Sequence, residues 1–368
     1  MPWLRNEIPF LNTCTYANTA ASGLLTRGLL EWRGAHDRAY FEGGSGMKMK
    51  SFELFPETKQ NLSAFFNCPA DSIALTPNFS IGLNFLLEGL DPGKRVLLLR
   101  GDYPSLNWPF ESRGFDTHYV ACGRDLESDI RQAVSEKKID ILALSLVQWV
   151  NGLKIAPGFL NTLKKDHPYL LILADGTQFC GAFGLDFAKS GIDVLGASGY
   201  KWMLGGFGNA FFLFGESTEG YFNPRATGYN AAGGDLEQQH HIGFPLHLEP
   251  GHLDSLNFGS LNYALGQLAT IGMEAIETHN RQLSARFREG LEDTLWLEPW
   301  VRERPDHGTF FSIRGDQALY EYLQKNQVVC ARRGGGIRLG FHLYNEQDEV
   351  DHILELLHKA ANKLSPCE

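Results

Sequence analysis

Residues 169–178 read Tyr169-Leu170-Leu171-Ile172-Leu173-Ala174-Asp175-Gly176-Thr177-Gln178. A short, unbroken apolar run with no polar alternation reads as a strand covered on both faces, which is the habit of a parallel sheet. It ends on an aspartate, and in open α/β sheets ligands sit outside the carboxyl ends of strands. Moving outward, Arg95 to Arg100 (RVLLLR), Ile139 to Val147 (IDILALSLV) and Asp193 to Ala197 (DVLGA) repeat the pattern. Between them, Asp125 to Lys138 has an acidic start and a basic end, with Leu126, Ile130 and Val134 on one face, as a covering helix requires. Asn209 to Phe214 (NAFFLF) follows a glycine-rich segment and reads as a further buried strand, able to return in the opposite direction.

Beyond this block, residues 215–260 are rich in Gly, His, Asn and Pro and read as loops, while Leu261 to Leu291 has helical spacing. Strands near Phe310 to Arg314 and Ile337 to Phe341, with helices near Gln317 to Lys325 and Gln347 to Lys363, make a smaller α+β lobe. The fold class is therefore α/β with a second, smaller unit.

A net charge of -10 argues against nucleic acid or an anionic membrane as partner, since both need a concentrated positive footprint. No apolar stretch is long enough to span a bilayer and no secretory leader opens the chain, so a cytoplasmic location is expected. The six cysteines (Cys14, Cys68, Cys122, Cys180, Cys330 and Cys367) have no metal-ligand spacing and read as reduced thiols; no metal is expected. The adjacent His240 and His241 lack ligand partners and read as polar loop residues.

Three strand ends carry chemistry. Asp175 lies in Ala174-Asp175-Gly176-Thr177-Gln178, Asn78-Phe79-Ser80 precedes Ile81-Gly82-Leu83-Asn84, and Ser198-Gly199-Tyr200-Lys201 follows the DVLGA run. A lysine, a carboxylate and a phosphate cradle are what pyridoxal 5'-phosphate (PLP) needs, for a Schiff base, a protonated ring nitrogen and anion binding respectively. Each residue also has a bland reading: Lys201 as a surface lysine, Asp175 as a helix cap, Tyr103 as a core aromatic. Their joint order favours a site. Gly205-Gly206-Phe207-Gly208 lacks the third glycine of a dinucleotide fingerprint and reads as a turn beside the cofactor.

These motifs resemble those of the class V aminotransferase family, which includes cysteine desulfurases, kynureninase and isopenicillin N epimerase. The likeness spans most of the chain, from Tyr16-Ala17-Asn18-Thr19-Ala20-Ala21-Ser22-Gly23 to Arg338-Leu339-Gly340-Phe341-His342-Leu343-Tyr344-Asn345. It implies a three-layer αβα PLP-binding domain over residues 21–255 and a smaller domain from residues 1–20 and 256–368. Thr76-Pro77-Asn78-Phe79-Ser80 is similar to the phosphate loop, and Asp102-Tyr103-Pro104-Ser105 places Tyr103 on the cofactor ring. The resemblance gives Asp175 the pyridine nitrogen, Gln178 the ring hydroxyl, Ser198 and Tyr200 the phosphate, and Lys201 the Schiff base. Gln148 joins the cofactor contacts, and His252 in Glu249-Pro250-Gly251-His252 is a candidate for the neighbouring subunit's phosphate, which presupposes a homodimer. Arg338 becomes the clamp for the substrate carboxylate, with a pairing to Glu346 or Asp348 as its alternative.

The implied substrate is an amino acid or amine. Desulfuration needs a nucleophilic cysteine on a loop before the arginine segment, but Val328-Val329-Cys330-Ala331-Arg332-Arg333-Gly334-Gly335-Gly336 runs almost directly into it, and Cys330 sits in a strand-like run where a thiol is usually inert. An aminotransferase is therefore expected first, with an epimerase, a kynureninase-like lyase and a desulfurase-like lyase behind it. A catalytically silent binding protein is the expectation from another class, opposed by the presence of Lys201. An NAD-linked dehydrogenase ranks last.

Overall fold

The computed structural model describes residues 2–292, 294–304 and 306–361. Seven strands form the central sheet: β1 (Ile73–Thr76), β2 (Arg95–Arg100), β3 (Asp116–Ala121), β4 (Ile141–Ser145), β5 (Leu171–Asp175), β6 (Val194–Ser198) and β7 (Ala210–Phe214). Their order is β1-β7-β6-β5-β4-β2-β3. Only β7 runs against its neighbours, which settles the direction that its sequence left open.

The unalternating apolar runs are explained by what covers them. Along β5, Ile172 and Ala174 enter one hydrophobic cluster while Leu171 and Leu173 enter another on the opposite face. Strand side chains alternate faces with period two, so a strand packed on both sides has no position left for a polar residue. Two helical layers around one sheet are the αβα architecture expected. Cutting Ile172 to Ala would leave a cavity in this layer and cost about 2–5 kcal/mol.

Helices α1 (Arg27–Gly43) and α2 (Ser45–Phe66) precede the sheet, α3 (Phe79–Leu87) follows β1, α4 (Pro104–Glu111) follows β2, and α5 (Leu126–Lys137) and α6 (Phe159–Asp166) flank β4 in sequence. The expected helical stretch 261–291 is in fact two helices, α7 (Ser255–Ile271) and α8 (Met273–Glu289), broken at Gly272. Gly272 has φ of 88°, which only glycine adopts without strain. The break changes partners: α7 packs on α1 and α2 of the large lobe, α8 on the C-terminal helix.

The smaller lobe is an antiparallel sheet of β8 (Phe310–Arg314), β9 (Ala331–Arg333) and β10 (Gly336–Gly340) in the order β9-β10-β8, with α9 (Gln317–Lys325) and α10 (Gln347–Ala361). Phe287, Phe311, Phe341 and Leu357 help form its own core. The N-terminal segment joins it, since Thr15–Tyr16 pairs in parallel with Val328–Val329 and Asn18 bridges to Gly340. Residues 362 and 363 of the expected last helix, and Cys367, lie outside the described residues. The five described cysteines are free, and among the described residues no helix is long and apolar enough to cross a membrane.

Candidate active site

The chain runs from β2 outward to β3 at the edge and returns to β4 on the inner side of β2. That reversal makes a crevice at the carboxyl ends of β2 and β4. Asp102, just past β2, bridges it: its carboxylate accepts from the amide of Ser145 at 2.8 Å, the hydroxyl of Ser145 at 2.7 Å and the amide of Tyr103 at 2.8 Å. Burial wins over these bonds and raises the Asp102 carboxyl to about 6.

The neighbouring strand ends are tied together in sequence. Asp175, the last residue of β5, accepts from the Thr177 amide at 2.8 Å; Thr177 Oγ1 accepts from the Ser198 amide at 3.1 Å; Ser198 Oγ accepts from the Phe79 amide at 3.0 Å. Asn78 caps α3 by accepting from the Ile81 amide at 2.9 Å. Three strand ends and a helix N-terminus are thus registered by short side chains that bond nearby backbone.

Around them lies a cavity of about 80 Å³. Its walls include Asn78, Phe79, Ser80, Tyr103, Asp175, Gln178, Ser198, Tyr200 and Lys201, so nine of the residues named from sequence are brought together. A larger cavity of about 410 Å³ opens elsewhere, beside Asp193 ahead of β6. There Lys164 and Asp193 neutralise each other at 2.8 Å, so size does not mark the chemistry.

Lys201 is buried, with Nζ 5.6 Å from the ring centre of Tyr103 and 5.5 Å from that of Tyr200. Burial lowers its amine to about 8, with the nearby Asp175 charge opposing and those of Arg338 and Arg333 adding to the fall. Tyr200 stacks on Phe207 at 4.8 Å, and burial pushes its hydroxyl up to about 12. Burial also raises the Asp175 carboxyl, and among the described residues no salt bridge reaches it.

The backbone around Lys201 is held by residues to which the sequence assigned no role. The Gly23 amide donates to the Tyr200 carbonyl at 2.8 Å, and a Cβ on Gly23 would collide with the Lys201 carbonyl. His342, whose ring burial lowers to about 3, is neutral, and its Nε2 donates to the Trp202 carbonyl at 2.8 Å. Trp202 donates to Gln178 at 2.7 Å, and Gln178 donates to the Ala20 carbonyl at 2.9 Å. Gly23, Asp102, Thr177 and His342 lie within the motifs read from sequence, without a role of their own; Ser145 lies only within the strand run Ile139 to Val147.

Gln148 falls elsewhere than expected. Its amide donates to the Gly101 carbonyl at 3.1 Å and accepts from the amides of Val150 and Asn151 at 2.7 and 3.0 Å, which pins the turn that carries Trp149 to the cavity wall. His252 is exposed on a loop and takes no part in this chain's cavity. Arg338, central in β10, is 3% exposed and forms no ion pair with Glu346 or Asp348. One guanidinium nitrogen donates to the Trp149 carbonyl at 2.7 Å while Nε has no partner, and burial lowers the group to about 10.

These residues fit PLP. A buried carboxylate without an ion pair suits the ring nitrogen, a buried amine the aldehyde, and Ser198 with the start of α3 an anion. The unpaired guanidinium of Arg338 suits a carboxylate that arrives with the substrate. Among the described residues no cluster could hold a metal ion.

The family model "Aminotransferase class-V" matches residues 29–353. A probable cysteine desulfurase of Pyrococcus abyssi is 24% identical, with 98% of each chain covered. The apo structure of a cysteine desulfurase from Thermococcus onnurineus superposes with a TM-score of 0.87 at 19% identity, covering 99% of this chain and 98% of the other. A cystine C–S lyase in complex with its product cysteine persulfide superposes with a TM-score of 0.85 at 21% identity, covering 95% of this chain and 98% of the other.

Proposed function

The chain belongs to the class V aminotransferase family of PLP enzymes, and on that premise we propose that it breaks the carbon–sulfur bond of a cysteine-type α-amino acid. The observation that carries the reading is a buried Lys201, lowered to about 8 by burial and by the charge of the nearby Arg338, whose Nε has no partner. The names of similar proteins, cysteine desulfurase and cystine C–S lyase, supply the bond to be broken.

When bound, PLP supplies an electron-accepting ring that stabilises negative charge at the substrate α-carbon. In this reading Asp175 holds the ring nitrogen, and Ser198 with the first amides of α3 and the Tyr200 hydroxyl holds the phosphate. Tyr103 covers the ring face, and Gln178 offers its remaining amide hydrogen to the ring hydroxyl. Arg338 receives the substrate carboxylate, which fixes the α-hydrogen relative to Lys201. An amine near 8 is partly free base at neutral pH, so Lys201 is poised to take the α-proton and return it later.

Cys330 favours elimination over transfer of sulfur to that residue. Cys330 is buried between two short strands and burial pushes its thiol up to about 12, so it offers no thiolate. Sulfur would then leave to solution, with pyruvate and ammonia from L-cysteine. The test is to incubate the holoenzyme with L-cysteine and L-cystine and measure pyruvate and released sulfur. A keto acid with its sulfur intact would establish the aminotransferase reading instead, and loss of the visible cofactor band in Lys201→Ala ties either activity to this site. We also propose a cytoplasmic homodimer in which His252 reaches the neighbouring site. Support comes from the exposed Ile81 and Phe207 near the cavity; a sizing-column mass of one chain would refute the dimer, and cell fractionation tests the location.

A further inference from the structure

The hairpin that carries Arg338 carries a second cation with no assigned use. In the pairing of β9 with β10, Ala331 lies opposite Arg338 and Arg333 lies opposite Gly336. Directly opposed residues share a face, as do residues two apart along a strand, so Arg333 and Arg338 project from the same side of the hairpin. Diagonal neighbours of this kind stand about 7–8 Å apart.

The turn between the strands is made by Gly334 and Gly335, with φ of 58° and 84°. A Cβ on Gly334 would collide with the side chain of Val150, so the tip packs on the turn whose Trp149 lines the cavity and whose carbonyl receives Arg338. Arg333 is exposed; it donates to the Arg332 carbonyl at 3.0 Å and forms no salt bridge among the described residues. Arg338 beside it is almost wholly buried with an orphaned Nε. The Arg333 charge disfavours protonation of both Arg338 and Lys201. A chain with a net charge of -10 thus sets two guanidinium groups on one face of this hairpin, close enough for both charges to act on Lys201, an arrangement a ligand with two anionic groups would relieve.

We propose that Arg333 is a specificity-determining residue that receives a second anionic group of the substrate, so the preferred substrate is an α-amino acid with another carboxylate or sulfonate beyond its β-carbon. This rests on the reading of Arg338 as the α-carboxylate clamp. Both the far carboxylate of a disulfide-linked amino acid and a side-chain carboxylate have this chemistry.

The test compares wild-type, Arg333→Gln and Arg333→Lys holoenzymes on L-cystine and S-carboxymethyl-L-cysteine, each with a second carboxylate, and on L-cysteine and S-methyl-L-cysteine, which have none. Arg333→Gln is expected to lower kcat/KM about 10- to 100-fold for the first pair, mainly through KM, with less than about a twofold change for the second. Arg333→Lys should recover part of the loss, and added salt should shrink the difference. A loss confined to one member of the first pair identifies which source of the carboxylate is bound. Equal losses on both pairs, or none, overturn the proposal.

If no substrate releases sulfur, the carbon–sulfur reading fails but the inference is still decided by binding. L-glutamate and L-norvaline have the same chain length and differ in the second carboxylate, and both can be titrated through the cofactor's visible spectrum. Selective weakening of L-glutamate by Arg333→Gln supports the proposal, whereas equal or no weakening overturns it.

Discussion

Replacing Lys201 with Met should stabilise the cofactor-free protein. Burial lowers the amine from 10.5 to about 8, and at ~1.4 kcal/mol for each tenfold change in proton affinity the charged form costs about 3 kcal/mol in the native fold. Lys201 is only 6% exposed, so solvent screens little of this. Methionine keeps the apolar stem without the charge. For a chain of this length the gain corresponds to a rise in Tm of about 4 °C at pH 7. Its pH dependence gives a second check. Between about 8 and 10.5 the unfolded chain holds the Lys201 proton and the native state does not, so the wild type gains stability as pH rises through that window. The advantage of the Met variant should therefore be full below pH 8 and vanish by about 10.5. Calorimetry of both cofactor-free proteins at pH 7 and 10.5 measures it. A Met variant no more stable at pH 7, or a gap that persists at 10.5, would refute the account of Lys201 as a desolvated amine held for chemistry.

The remaining predictions concern the groups around it. Gly23→Ala places a methyl group against the Lys201 carbonyl and should weaken PLP binding at least ~10-fold by spectral titration, whereas Gly34→Ala in α1, where a Cβ meets nothing within 4 Å, should leave binding unchanged and add up to ~1 kcal/mol. Asp102→Asn offers one oxygen to three donors and should cost about 1–3 kcal/mol in urea melts, against roughly 1 kcal/mol for Ser145→Ala. Burial lowers His342 to about 3, so as pH falls below 6.5 the unfolded chain takes up a proton that the native ring declines, and stability falls; His307, lowered to about 4, acts in the same direction. Asp102, raised to about 6, opposes this between pH 6 and 3.8. Urea melts at pH 6.5 and 5 should show His342→Gln reducing the slope by about 0.8 proton on average, roughly 1.1 kcal/mol per pH unit.

The sheet strands were legible because burial on both faces leaves a local mark, an apolar run ending on a polar residue, and DVLGA or YLLILA carries that mark without reference to the rest of the chain. The α/β class followed, as did the placing of Asp175, Ser198 and Lys201 at or just beyond strand ends, while the three-layer form was implied by the family resemblance. The helical spacing of 261–291 is local and correct for both helices, but nothing in it shows that its two halves face different lobes. Gln148, a strand-end residue like the others, points its amide at a turn instead. A strand end alone does not place a side chain in the site, and Arg338 sits mid-strand.

What the sequence determined by itself was the set of chemical parts and their order, since strand and helix periodicities are set by neighbours two to four residues away. What tertiary structure decided was their convergence. The reversal between β3 and β4 brought Ser145 to Asp102, the return of the N-terminal segment set Gly23 against Lys201, and the C-terminal lobe delivered His342 and the unpaired Arg338. Such contacts join residues tens to hundreds of positions apart. Closing those loops costs chain entropy that only the packed core repays, so no local pattern records them.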